Sequence, residues 1–296
     1  MLSKLRHFAR SDSSDLESLR ALVDVRPALH MLGAPDASFV AVSGGTLGVG
    51  FIAPVDGRKR FLKSYASASS KADLEKEIRI LSHLYGEMLA IQRLEVAESA
   101  ASSRVWLVMD ALNPRDKPLT PDKVFALIRQ FRSRLSSFSV ESLETADTLG
   151  TLIDDAILRL SDLASAGEIS QPMFDDLHAR LAYLAREWQR FPTAVAHGDL
   201  GPRNIMVGED NLVVIDWEDA FLGVEGYDYL YWLTFFENRS YYGKEILGQT
   251  SLGVDAEMAL LVMILVLKSD LSRRANGLIG NLLTVEQRIG EVLALA

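Results

Sequence analysis

Asp199, Asn204 and Asp216 are three oxygen-bearing side chains whose spacing can bring them to one point. Asp199 and Asn204 are five residues apart with Pro202 between them. A proline there disfavours a continuous helix, so His197-Gly-Asp-Leu-Gly-Pro-Arg-Asn204 reads as a loop able to curl its polar ends together. Asp216 follows Asn204 by twelve residues. Between them, Asn204–Val207, a Gly-Glu-Asp-Asn turn and Leu212–Ile215 form a short hairpin pattern that returns the chain and sets Asp216 beside Asn204. An amide oxygen and carboxylates are hard ligands, and so small a set suits Mg²⁺ shared with a substrate's phosphates. Asp199 is left to accept a proton from an attacking hydroxyl.

Lys63 is a cation suited to the same chemistry. It sits in Arg60-Phe-Leu-Lys-Ser-Tyr65, which alternates like a strand. A lysine there neutralises phosphate oxygens if a carboxylate orients it. The next segment, about Lys71 to Tyr85, has Leu74, Ile78 and Leu81 at helical spacing. Glu77 lies at the edge of that stripe and Glu75 further off it, so Glu77 is the expected partner of Lys63.

The segments His197–Met206 and Val213–Asp219 resemble the catalytic loop and metal segment of the aminoglycoside phosphotransferase and choline kinase family, relatives of protein kinases. That family's loop runs H-G-D-x-x-x-x-N and its metal motif I-D-W/F-E/D, and both match residue for residue. The resemblance implies that Asp199 is the catalytic base, that Asn204 and Asp216 hold Mg²⁺, and that the donor is ATP or GTP. It implies that His197 supports the loop and that Asp228 pins it through its backbone. Ser43-Gly-Gly-Thr-Leu-Gly-Val-Gly50 sits where kinases fold a hairpin over the phosphates, making Gly44, Gly45 and Thr46 candidate phosphate contacts. It does not follow the protein-kinase G-x-G-x-x-G pattern. Val105–Ala111 resembles the strand entering the interlobe hinge, where Asp110 and Ala111 would offer backbone groups to the adenine. The recognisable landmarks span about residues 39–235.

Serine/threonine protein kinases carry a lysine two residues after the catalytic aspartate, and this chain has Gly201 there. Arg203 is nearby and could replace that charge, with a structural salt bridge as the expected role. Only a short run separates Asp216 from Tyr227 and Asp228, too short a platform for a peptide, which favours a small-molecule hydroxyl acceptor. Glu218, Asp219, Glu225 and Asp228 could form an acidic pocket for a cationic acceptor, such as an amino sugar or amino alcohol, or Glu218 and Asp219 could merely complete the metal shell or solvate a loop. Of the aromatic run Tyr229, Tyr231, Trp232, Phe235 and Phe236, most are expected in the core, with one or two free to stack on an acceptor. A silent nucleotide-binding pseudokinase would lack a member of the set, and none is missing. A serine hydrolase at Ser43 would need a helix after the serine, where Gly48–Ile52 reads as a strand.

The elements around these residues change character along the chain. Residues 1–38 read as a helical extension, with a capping box at Ser14–Glu17, a stripe of Leu19, Leu22 and Val23, and Pro27 ending or kinking the helix. Strands are expected at 38–42, 48–52, 60–65, 93–97 and 105–109, with Asp56-Gly57 as a turn. Beyond Asp110 come helical stripes: Val124, Ile128, Phe131 and Leu135; Leu149, Ile153, Ile157 and Leu160; Leu177, Leu181, Leu184 and Trp188. Thr120-Pro121 suits a helix start. The expected fold is α+β, bilobal and protein-kinase-like: an N-terminal antiparallel sheet with one main helix, then a helical lobe with a small catalytic hairpin. The nucleotide-binding lobe is expected over 1–111 and the catalytic and acceptor-binding lobe over 112–296.

Composition narrows the partners. The 296 residues are 48% hydrophobic, enough for a sizeable core. A net charge of −9 argues against nucleic acid or an anionic membrane as partner. The absence of cysteine excludes disulfides, thiolate metal sites and cysteine nucleophiles. No apolar run follows the basic residues of the N-terminus, and Met258–Leu267 is too short to span a bilayer, so a cytoplasmic protein is expected.

Overall fold

The computed structural model describes residues 20–42, 48–99, 102–143, 145, 147–209, 211–243, 246–274 and 283–295. The expected capping box and Leu19, together with Gly44, Gly45 and Thr46, lie outside these residues.

The N-terminal part is a five-stranded antiparallel sheet in the order β1-β2-β3-β5-β4, formed by β1 (Val40–Val42), β2 (Gly48–Val55), β3 (Arg58–Tyr65), β4 (Gln92–Ala97) and β5 (Ser103–Asp110). The β2–β3 connection is the expected Asp56-Gly57 turn, and both residues have positive φ, 50° and 74°. That is the conformation whose twist matches flanking antiparallel strands. One face buries Leu107 and Met109 under Leu74, Ile78 and Leu81 of helix α2 (Lys71–Tyr85). The other face buries Phe51, Leu62 and Trp106 against Val25, Ala28 and Leu29.

Those last residues belong to or adjoin helix α1 (Arg26–Met31), which corrects the reading of Pro27. Helical backbone stops at residue 21, and Pro27 stands in the first turn of a new helix, where its missing N–H is not needed. Of the apolar stripe before it, Val23 is buried and Leu22 is exposed.

The C-terminal part is helical. Helices α3 (Pro121–Leu135), α4 (Leu149–Ser165) and α5 (Gln171–Glu187) bury the expected stripes, except that Ile157 is half-buried and Trp188 falls in the turn after α5. Helix α6 (Tyr227–Leu233) is wholly buried. Helix α7 (Val254–Arg274) buries every residue from Met258 to Leu267 and packs on α4, α5, α6 and α8 (Val285–Leu293). A helix apolar all round belongs at the centre of a lobe. Among the described residues, no helix is long and apolar enough to cross a membrane. The expected hairpin is β7 (Ile205–Val207) with β8 (Leu212–Val214). A second ribbon, β6 (Thr193–Ala196) with β9 (Phe221–Val224), was not expected. It brackets the catalytic-loop candidates on both sides in sequence and fixes where they start and end.

Candidate phosphoryl-transfer site

Alternation along β3 turns Lys63 away from buried Leu62 and towards α2 and the β8 end. Its ammonium donates to Glu77 Oε2 at 2.7 Å, Asp216 Oδ1 at 2.5 Å and Glu218 Oε2 at 3.3 Å. Glu77 is buried, and its other oxygen accepts the backbone N–H of Asp216 at 3.1 Å. Glu75 faces outward and pairs with Arg93 at 2.8 Å. Gly48 and Gly50 give β2 the room this arrangement needs. A Cβ at Gly48 would meet Lys63 Cε at 3.0 Å, and one at Gly50 would meet the Phe61 ring at 2.9 Å.

The charges reinforce one another. Burial penalises the Lys63 ammonium, yet Asp216, Glu218 and Glu77 outweigh it and hold the group well above its ordinary pKa. Burial raises Glu77, against the pull of Lys63. Burial and the Asp216 charge push Glu218 up to about 8. Carboxylate oxygens of Glu77, Asp216 and Glu218 lie within 4.8 Å of one another.

Asp216 has a left-handed backbone, φ 68° and ψ 53°, uncommon for a residue with a side chain. Its N–H bond to Glu77 holds it there. Asn204 is tied to Asp199 and to the hairpin: its Nδ2 donates to the Asp199 carbonyl at 2.8 Å, and its carbonyl accepts from Ile215 N–H at 2.9 Å. With Nδ2 so used, Oδ1 remains the amide's acceptor. An amide oxygen and a carboxylate are the hard donors that Mg²⁺ takes.

The loop beneath these groups is held by its neighbours. The Asp228 carboxylate accepts the backbone N–H of His197 at 3.0 Å and of Gly198 at 3.2 Å. Burial raises the Asp228 pKa in spite of those donors. His197 donates from Nε2 to the Ile215 carbonyl at 2.9 Å, and its Nδ1 accepts from Asp199 N–H at 3.2 Å, which defines a neutral tautomer. Gly198 has φ 84°, and a Cβ there would overlap the carbonyl of Asp219. Arg115, on the segment leading to α3, donates to the carbonyls of Pro202 at 2.7 Å and Ile205 at 2.9 Å. The Asp199 carboxylate itself accepts the Tyr231 hydroxyl at 2.5 Å on Oδ1.

Above the loop lies a cleft of about 670 Å³, lined by Val42, Ile52 and Phe61 from the sheet, Met109 and Ala111, and Lys63, Asn204, Ile215 and Asp216. That volume is ordinary for a cofactor-sized ligand. Ala111 lines it and Asp110 does not. Both of their N–H groups serve the protein: Asp110 donates to the Leu89 carbonyl and Ala111 to the Lys59 carbonyl, each at 2.9 Å. The Asp110 carboxylate pairs with Arg60 at 2.8 Å.

Two open readings are narrowed here. Arg203 forms no ion pair among the described residues; it is exposed and lines the cleft. Each of the four acidic residues is engaged within the protein. Glu218 meets Lys63, Asp219 is buried behind Gly198, Glu225 pairs with Arg132 at 2.7 Å, and Asp228 holds the loop. Tyr231 is the contact that the sequence did not disclose, since an aromatic in a run of aromatics reads as core.

Residues 38–249 match the model of the phosphotransferase enzyme family, and the chain belongs to that family. The fold is shared with several solved structures. One is a thermostable mutant of aminoglycoside phosphotransferase APH(4)-Ia in a ternary complex with AMP-PNP and hygromycin B, at TM-score 0.57 and 14% identity, covering 92% of this chain and 98% of that one. Another is spectinomycin phosphotransferase APH(9)-Ia with ADP and spectinomycin, at TM-score 0.54, 14% identity and 88% of each chain. A third is an ethanolamine kinase of Plasmodium vivax, at TM-score 0.50, 15% identity, 88% of this chain and 80% of that one. No curated protein matches the sequence.

Proposed function

Starting from that family membership, we propose that the chain transfers the γ-phosphoryl group of ATP to a hydroxyl of a small molecule: an amino sugar, amino alcohol, sugar or similar compound. The observation that carries this reading is the convergence of Lys63, Glu77 and Asp216 beside the loop that links Asp199 to Asn204. The fold neighbours that bind hygromycin B and spectinomycin, and the one named as an ethanolamine kinase, support a small acceptor. So does the run from Asp216 to Asp228, which is filled by a single turn at Trp217–Asp219 and strand β9.

In this reading the nucleotide lies in the cleft, with Ala111 at the base end and Lys63 at the phosphates. Lys63, turned by Glu77, binds donor phosphate oxygens. Asn204 and Asp216 would hold Mg²⁺, which when bound supplies further charge neutralisation to the phosphates. Asp199 orients the acceptor hydroxyl. As that oxygen bonds to the γ-phosphorus, the bond to the β–γ bridging oxygen breaks, the proton passes to the Asp199 carboxylate and ADP leaves.

An ADP-release screen with Mg²⁺ and ATP across amino sugars, amino alcohols, sugars, nucleosides and macrolides tests the proposal. Release stimulated by one class identifies the acceptor. Tight nucleotide binding with no turnover on any acceptor or on water overturns the enzymatic reading.

A further inference from the structure

Helix α6 carries three buried tyrosines, Tyr227, Tyr229 and Tyr231. The hydroxyls of Tyr227 and Tyr229 have no hydrogen-bond partner. That of Tyr231 has one, and it is the Asp199 carboxylate, at 2.5 Å to Oδ1. Burial and the Asp199 charge hold the Tyr231 phenol well above its ordinary pKa, so it stays a donor. A hydroxyl bonded to a carboxylate at this distance makes a charge-assisted bond, about twice as strong as a neutral one.

The ring of Tyr231 is itself clamped. The Lys268 ammonium, arriving from α7, lies 4.5 Å from the Tyr231 ring centroid and 3.5 Å from that of Phe235. It also donates to Thr234 Oγ1 at 2.9 Å. Phe235 in turn packs on the catalytic loop, where a Cβ at Gly201 would meet its ring at 2.8 Å. A half-buried ammonium over two rings is attracted by their π faces and fixes their tilt.

We propose that Tyr231 and Lys268 are positioning residues for Asp199. The Tyr231 phenol fixes the Oδ1 oxygen and so the plane of the carboxylate. Lys268 fixes the Tyr231 ring. The two residues come from α6 and α7, so the orientation of the base is set by the helical core and not by the catalytic loop alone. This rests on the reading of Asp199 as the base. Its physical ground is that a base held out of line by a fraction of an ångström loses rate without losing affinity for the nucleotide.

The test compares wild type with Y231F, K268M, K268R and D199N, using ADP release from ATP with water as acceptor, ATP KM, and melting temperature. Y231F keeps the ring and removes only the hydroxyl. It is expected to lower kcat about 10- to 100-fold with ATP KM unchanged. K268M is expected to lower kcat less, with K268R recovering most of the loss. A wild-type kcat in both Y231F and K268M, alongside an inactive D199N, overturns the proposal and leaves the base assignment standing. A fully active D199N removes the base assignment instead. A downfield hydroxyl-proton resonance in the wild-type NMR spectrum, absent from Y231F and D199A, decides the matter irrespective of turnover. Its absence from wild type refutes the hydrogen bond.

Discussion

Glu77 joins the strand lysine to the metal-ligand candidate through the two oxygens of one carboxylate: Oε2 takes the Lys63 ammonium at 2.7 Å and Oε1 takes the Asp216 backbone N–H at 3.1 Å. Glu77→Ala removes both bonds at once. Lys63 keeps Asp216 and Glu218, so the expected cost is about 1–3 kcal/mol of stability, less than that of an orphaned buried charge. Urea denaturation measures it. Nucleotide binding should weaken more than this loss of stability suggests, because the left-handed backbone of Asp216 loses its support. Calorimetric titration with a non-hydrolysable nucleotide gives that second number.

Asp199→Asn preserves the shape of the side chain and removes its basicity. ATP affinity should be unchanged and kcat should fall by about 10²–10⁴, the range that general-base catalysis contributes. Wild-type turnover in this variant would falsify the assignment of the base.

Gly198→Ala tests how tightly the loop is built. The residue needs a left-handed backbone, costing about 1–2 kcal/mol with a side chain, and the added Cβ overlaps the Asp219 carbonyl. The melting temperature and the activity should both fall. A variant as stable as wild type would mean that the loop relaxes.

Asp228 connects the loop to pH. Burial raises its pKa in the folded protein above the ordinary value of 3.8. The folded state therefore binds a proton that the unfolded state has released, and stability falls as pH rises from the ordinary value towards the raised one. Asp228→Asn should flatten that part of the stability–pH curve. It should also lower stability overall, since one amide oxygen replaces a carboxylate that serves two backbone donors. Chemical denaturation of both proteins across the acidic range shows whether the slope belongs to this residue.

Much of the fold was legible because its signals are local. The Asp56-Gly57 turn has a backbone that few other pairs adopt, and the 3.6-residue stripes of α2, α3 and α5 each commit one face to the core. The inward turn of Glu77 followed from the same stripe. The β6–β9 ribbon was not legible. Thr-Ala-Val-Ala and Phe-Leu-Gly-Val are four residues each, too short for alternation to register, and their pairing joins segments about 28 residues apart that no local signal links. Pro27 was misread because a proline in a first helical turn and one after a last turn look alike until the packing of Val25 and Leu29 is known. Tyr231 lies 32 residues beyond Asp199, and only the packing of α6 beneath the loop selects its hydroxyl over those of Tyr227 and Tyr229.

Helix α7 has a consequence for the order in which the molecule comes apart. It is sheathed on all sides along Met258–Leu267, whereas β1 is exposed along its whole length at the edge of its sheet. Amides of α7 should therefore exchange with solvent deuterium only on global opening, and those of β1 through local fraying. Lys268 lies one residue past that sheathed stretch. Tyr231, which donates to the Asp199 carboxylate, is thus clamped by a segment expected to open slowly, while Val42, which lines the cleft, belongs to one expected to open quickly. Deuterium uptake should be quick at the β1 side of the cleft and slow along the helix that leads to Lys268.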